Sequence, residues 1–106
     1  LGSEYGIRSL SKDDSKFGRA NNYWTGPIWI NINYLTLRGL FKYYQEEAKQ
    51  EYHILKNRIT SLVCQNWQRT SYFYENYNKH EDGKGSDAHP FTGWTATIAL
   101  ILSEKY

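Results

Sequence analysis

Residues 27–47 read Pro-Ile-Trp-Ile-Asn-Ile-Asn-Tyr-Leu-Thr-Leu-Arg-Gly-Leu-Phe-Lys-Tyr-Tyr-Gln-Glu-Glu, and their apolar pattern decides the fold class. Pro27 falls where a helix accepts proline, at its first position, with Thr25 or Gly26 as the cap. Ile28, Ile32, Leu35, Leu40 and Tyr43 follow roughly helical spacing. Trp29, Ile30, Tyr34, Leu37 and Phe41 lie off that stripe, so the helix predicted over 27–47 is apolar on several faces. A helix of that kind is buried on more than one side. One helix pair cannot cover it.

Working outward, a cleaner amphipath follows. Tyr52, Leu55, Ile59, Leu62, Val63 and Trp67 form one stripe, with Glu51, Lys56, Arg58 and Gln65 on the other faces. This predicts a second helix from about Ala48 to Arg69. No breaker interrupts 70–78, so that helix either continues or unwinds into Tyr72-Phe73-Tyr74-Glu75-Asn76-Tyr77-Asn78. Asp82-Gly83-Lys84-Gly85-Ser86 is turn-forming. A third helix is predicted over 93–105, capped by Thr92, with Ile98 to Leu102 as its apolar contact and small residues at 95–97 and 99. Residues 1–26 read as loop, and no segment has the period-two alternation of a strand. The predicted class is all-α: about three helices with long loops.

At 106 residues the chain is one domain at most, and three helices of this size make a marginal core. It opens on Leu1 and contains no methionine, which reads as a piece of a longer protein. Its 13 basic and 11 acidic side chains leave a formal charge of +2, too balanced for nucleic-acid binding. No apolar stretch approaches the ~18 residues of a membrane span. Cys64 is alone, and His53, His80 and His89 are not at metal-ligand spacing, so no metal is expected. Gly83 and Gly85 lack the context of a phosphate loop, and no cofactor is expected either. Ser9, Ser11 and Ser61 lack a nucleophile-elbow context.

What remains is aromatic: ten Tyr, four Trp and four Phe. Tyr23, Trp24 and Trp29 bracket Gly26-Pro27, Phe91 and Trp94 bracket Gly93, and Glu75 sits among Tyr72, Phe73, Tyr74 and Tyr77. Flat rings stack on the C–H faces of sugars, while Asn, His and carboxylates bond sugar hydroxyls. A carboxyl group among rings suits general acid–base work. The plainer reading has the rings filling a core and Glu75 pairing with a surface lysine.

Three blocks give the pattern a family. Tyr-Trp-Thr-Gly-Pro-Ile-Trp-Ile-Asn-Ile-Asn-Tyr-Leu at 23–35, Tyr-Glu-Asn-Tyr-Asn at 74–78 and His-Pro-Phe-Thr-Gly-Trp at 89–94 resemble the eukaryotic processing α-glucosidases I. These are the mannosyl-oligosaccharide glucosidases of glycoside hydrolase family 63. Tyr5-Gly6-Ile7-Arg8-Ser9-Leu10-Ser11 looks like the same family, so the resemblance spans essentially the whole chain. It covers the C-terminal stretch of a much longer catalytic domain, so residues 1–106 are expected to be a fragment of that domain.

The resemblance implies an (α/α)6 toroid, in which the multiply apolar first helix is wedged between neighbours. It implies an inverting hydrolase that removes the terminal α-1,2-linked glucose from the N-glycan precursor on nascent glycoproteins. Inversion uses two carboxyl groups about 6.5–9.5 Å apart. Glu75 matches the family's general base, whereas the acid, an aspartate, has no counterpart here and lies upstream. Trp24, His89, Phe91 and Trp94 are the expected substrate-binding residues. The partners implied are the glucosylated N-glycan and the remaining N-terminal part of the same catalytic domain. The location implied is the lumenal side of the endoplasmic reticulum, in a single-pass membrane protein. One departure stands out: Thr25 occupies a position where the family usually has Arg. The alternatives are a trehalase-like enzyme of the same clan, or a non-catalytic helical carbohydrate-binding module.

Overall fold

A computed structural model describes residues 1–104. Lys105, the end of the predicted third helix, lies outside the described residues. Three helices hold the chain together: α1 (Ile30–Tyr43), α2 (Lys49–Thr70) and α3 (Ile98–Ser103), the last entered through a 3-10 turn at Trp94–Thr97. Two small antiparallel hairpins flank them, β1 (Gly2–Ser3) with β2 (Gly6–Ile7), and β3 (Asn76–Tyr77) with β4 (Gly85–Ser86). Strands of two residues are too short to display alternation, which is why the sequence pattern does not announce them. The all-α expectation holds, with these hairpins added.

α2 matches its expected span within a residue at each end. Its long apolar stripe and Glu51 in the first turn both favour a helix there. It ends at Ser71, which takes the left-handed conformation (φ 62°) that closes many helices. One stripe member is displaced: Trp67 is half exposed, its ring tilted against Phe73, and Asn66 takes the buried position instead. Asn66 earns burial by satisfying its whole amide. Its Nδ2 donates to the Leu62 and Gly83 carbonyls, and its Oδ1 accepts from Gly85 N and Arg69. Through that one side chain α2 holds the loop that carries β4.

α1 starts three residues later than expected and ends four earlier. The cause is tertiary. Ile28 is held extended by isolated bridges to Arg8 and Tyr77, exchanging both backbone hydrogen bonds with Tyr77 at 2.8 and 2.9 Å. Pro27 therefore precedes the helix rather than opening it, and Trp29 is the N-cap residue without a side-chain cap; neither Thr25 nor Gly26 caps it. The burial of α1 is also turned relative to the expected stripe. Ile30 and Leu37 are buried and Tyr34 and Phe41 pack against the same core, whereas Ile32, Leu35 and Tyr43 are exposed. The helix is apolar on two sides, and this chain covers one.

The core lies where α1, α2, α3 and the two hairpins converge, built on Ile28, Ile30, Leu37, Tyr52, Ile59, Leu62, Val63, Tyr77, Ile98 and Ile101. Leu100 and Leu102 of α3 stay about half exposed, so Ile98 and Ile101 alone supply its buried contact. Thr92 caps nothing: Gly93 precedes the 3-10 turn with no side-chain cap, and helical spacing begins only at Ile98. Asn33, fully buried on α1, holds the first hairpin. Its Oδ1 accepts from Ile7 N at 2.8 Å, and its Nδ2 donates to the carbonyls of Ile7 and Trp29, both at 3.0 Å. Arg8, next in line, forms a forked pair with Glu81 at 3.0 and 2.9 Å. The hydrogen bond to Arg8 holds the Glu81 carboxyl below its ordinary range.

Among the described residues no helix is long and apolar enough to cross a membrane. None of them forms a group of three His, Cys, Asp or Glu side chains able to hold a metal ion.

Candidate active site

Glu75 sits between the end of α2 and β3, on a segment fixed from both sides. Its backbone N donates to Ala88 O at 2.9 Å, and its own carbonyl accepts from the Trp94 indole at 2.9 Å. One residue earlier, the Tyr74 carbonyl accepts from buried Thr95 Oγ1 at 2.6 Å, and Tyr74 N donates to Tyr77 Oη at 3.1 Å. Burial pushes the Tyr77 phenol up to about 12, so it stays protonated in this brace. Gly85 is demanded by packing, because a Cβ there would sit 2.1 Å from the Tyr74 ring. The Glu75 backbone is thus clamped by β4, the 3-10 turn and the loop before it.

The side chain is held as well. Tyr23 Oη donates to Glu75 Oε1, and Ala88 N donates to Oε2 at 3.2 Å. No lysine is needed to explain this carboxylate. The hydrogen bond to Glu75, with desolvation behind it, lifts the Tyr23 phenol to about 12. Tyr23 therefore stays a donor throughout the working pH range of an enzyme. Its own carbonyl accepts from the Trp29 indole at 3.1 Å.

Around this pair the rings form a continuous file. Trp24 lies flat on Trp29 (centroids 3.8 Å, planes 13° apart), Trp29 meets Trp94 at 5.6 Å, and Trp94 meets Phe91 at 4.8 Å. Trp29 is 1% exposed and Trp24 is 49% exposed, so the buried indole is a floor and the outer one a surface. The structure thereby brings together four of the five expected site residues: Trp24, Glu75, Phe91 and Trp94. His89 stands on the other side of Tyr74, its ring 4.8 Å from that ring and 5.3 Å from Tyr72. Its Nδ1 is 2.9 Å from Asp87 O, a contact that braces the loop. Asp87 itself is tied to Asn76 Nδ2 and Lys79 Nζ. Burial raises its carboxyl, but those two partners outweigh burial and hold it below its ordinary range.

An apolar groove of about 310 Å³ lies elsewhere, lined by Gly6, Ile7, Leu40, Ile54, Leu55 and Arg58 among others. It takes no residue from the aromatic file. Glu75 itself is half-buried.

A profile of the glycosyl hydrolase family 63 C-terminal domain matches residues 1–104. This chain belongs to glycosyl hydrolase family 63. It is 44% identical over its whole length to a probable mannosyl-oligosaccharide glucosidase of Schizosaccharomyces pombe, of which it spans 14%. It is 44% identical over 94% of its length to a mannosyl-oligosaccharide glucosidase of Saccharomyces cerevisiae, spanning 13% of that protein. A third such glucosidase, from Arabidopsis thaliana, is 38% identical over the full chain, which again covers 14% of the relative. The chain therefore spans about one-seventh of the relatives it matches, and the trehalase and binding-module alternatives are not favoured.

Two features escaped the sequence. Tyr23 is separated from Glu75 by 52 residues, and no spacing rule links them. The Ala88 amide has no side-chain signature at all. The position of Thr25 is plain in the family 63 frame: its Oγ1 donates to Arg19 O at 3.1 Å and closes the loop that presents Tyr23 and Trp24. As a loop brace it offers no cation to the site.

Proposed function

We propose that this chain is the C-terminal part of the catalytic domain of a processing α-glucosidase I. The parent protein is an inverting hydrolase that releases the terminal α-1,2-linked glucose from the N-glycan precursor on nascent glycoproteins. The observation that carries the reading is the Glu75 carboxylate, gripped by Tyr23 and the Ala88 amide beside a file of aromatic rings. The names of the family 63 relatives support the substrate.

In this reading Glu75 is the general base. It takes a proton from water as that water attacks C1 of the glucose from the face opposite the leaving oxygen. An acid from the upstream part of the parent protonates that oxygen. Trp24, Phe91 and Trp94 stack on C–H faces of the sugar, and His89 reaches a hydroxyl. The remaining part of the domain completes an (α/α)6 toroid. Ile32, Leu35 and Tyr43 on the open side of α1 are the surface its other helices cover. The parent works on the lumenal side of the endoplasmic reticulum, on a single membrane anchor.

The test is stereochemical. Intact parent protein is mixed with a triglucosylated N-glycan, and the released sugar is followed by proton NMR from the first minutes. The expected first product is β-glucose, which then mutarotates. First release of α-glucose, or no release of glucose, would overturn the proposal.

A further inference from the structure

If Glu75 is the base, something must hold it in one pose, since a base that swings away from the water loses its advantage. A carboxylate offers about four lone-pair directions. Here one on each oxygen is taken, Oε1 by the Tyr23 hydroxyl and Oε2 by the Ala88 amide. The amide is kept beside the carboxylate because the carbonyl of the same residue, Ala88, accepts from Glu75 N at 2.9 Å. The hydroxyl is fixed by its ring, which sits edge-on to Trp29 at 4.7 Å and to Trp24 at 5.9 Å. Two donors set at the two ends of the carboxylate define its plane and leave its outer lone pairs free.

We propose that Tyr23 is the positioning residue of this site, orienting the Glu75 carboxylate through Oε1 so that a free lone pair stays turned toward the attacking water. The proposal rests on the reading of Glu75 as the base. Tyr23 acts through Glu75 and needs no contact with the sugar. It also ties the base to the first sugar-facing indole, because Tyr23 and Trp24 are adjacent on one loop.

Other titratable groups surround the pair. Lys79 and His80 lie on the β3–β4 loop, Asp87 and His89 follow β4, and Tyr72, Tyr74 and Tyr77 flank Glu75. The 3-10 turn contributes none. All of these are common to the proteins compared below and cancel in the difference.

The experiment uses the intact parent protein with Tyr23→Phe, which keeps the ring on the two indoles and removes only the hydroxyl. kcat, KM and the thermal midpoint are measured beside those of Glu75→Gln. Tyr23→Phe is expected to lower kcat roughly ten-fold with little change in KM or in the midpoint. A purely structural role would lower the midpoint or raise KM as kcat falls, and that result overturns the proposal. The two readings fail separately. A silent Tyr23→Phe beside an inactive Glu75→Gln removes the positioning role alone, whereas an active Glu75→Gln removes the base and the positioning role together.

Discussion

In the intact protein, Glu75→Gln is expected to lower turnover at least ~10²-fold while leaving substrate affinity nearly unchanged. Glutamine has the same size and keeps an oxygen for the Ala88 amide. Its NH₂ faces the Tyr23 hydroxyl, which can turn and accept. The rings of Trp24, Phe91 and Trp94, the proposed sugar-stacking surface, are untouched, so affinity is expected to persist. What disappears is the ability to take a proton from water, and in an inverting mechanism that loss falls on the chemical step itself. A substrate with an activated leaving group, such as α-glucosyl fluoride, needs less acid help but the same water activation, so it should not restore the variant. Glu46→Gln and Glu51→Gln serve as controls. Both carboxylates are exposed, in the α1–α2 turn and the first turn of α2, and their loss should be nearly silent. Rate measurements on both substrates check each part.

The second large effect concerns stability. Asn33→Ala removes three hydrogen bonds from a site that is 0% exposed. The Trp29 carbonyl keeps its helical partner, Asn33 N at 3.2 Å. The N–H and C=O of Ile7 do not, and each stranded buried group costs about 1–3 kcal/mol. The expected loss is therefore roughly 3 kcal/mol or more, read as a lower urea midpoint of the intact protein at unchanged slope. Local damage should be specific. Ile7 and Pro27 anchor the two ends of the loop that presents Tyr23 and Trp24, so protease should cut first between residues 8 and 26. An unchanged midpoint and an uncut loop would show that the Asn33 clamp is dispensable.

Legibility followed the range of the forces involved. α2 could be read almost to the residue because its signal is local: a long stripe, an acidic first turn and a polar outer face. α1 could be recognised as apolar on several faces, but not which face this chain buries, since α2 is what selects Ile30 and Leu37 over Ile32 and Leu35. Its start was misplaced because Ile28 is captured by residues 8 and 77, far away in sequence. Asn33 and Asn66 look like surface residues in composition. They are buried because their amides complete backbone pairs that exist only in the folded chain. The same holds for the site. Its rings and its carboxylate stand in recognisable blocks, whereas the Tyr23 donor reaches Glu75 only through the fold.

The most direct test of the account is chemical rescue of the base. In the intact protein, Glu75→Ala opens a small space where, on the proposed mechanism, the attacking water is activated. Azide is a nucleophile that carries no proton to remove, so it does not need the missing base. It should attack C1 of an α-glucosyl substrate from the face opposite the leaving oxygen, forming the C–N bond as the C–O bond breaks. The account predicts that azide raises turnover of Glu75→Ala and that NMR finds β-glucosyl azide as the product. A Glu75→Ala protein that hydrolyses its substrate at nearly the parent rate in plain water, with no azide in the product, would contradict it.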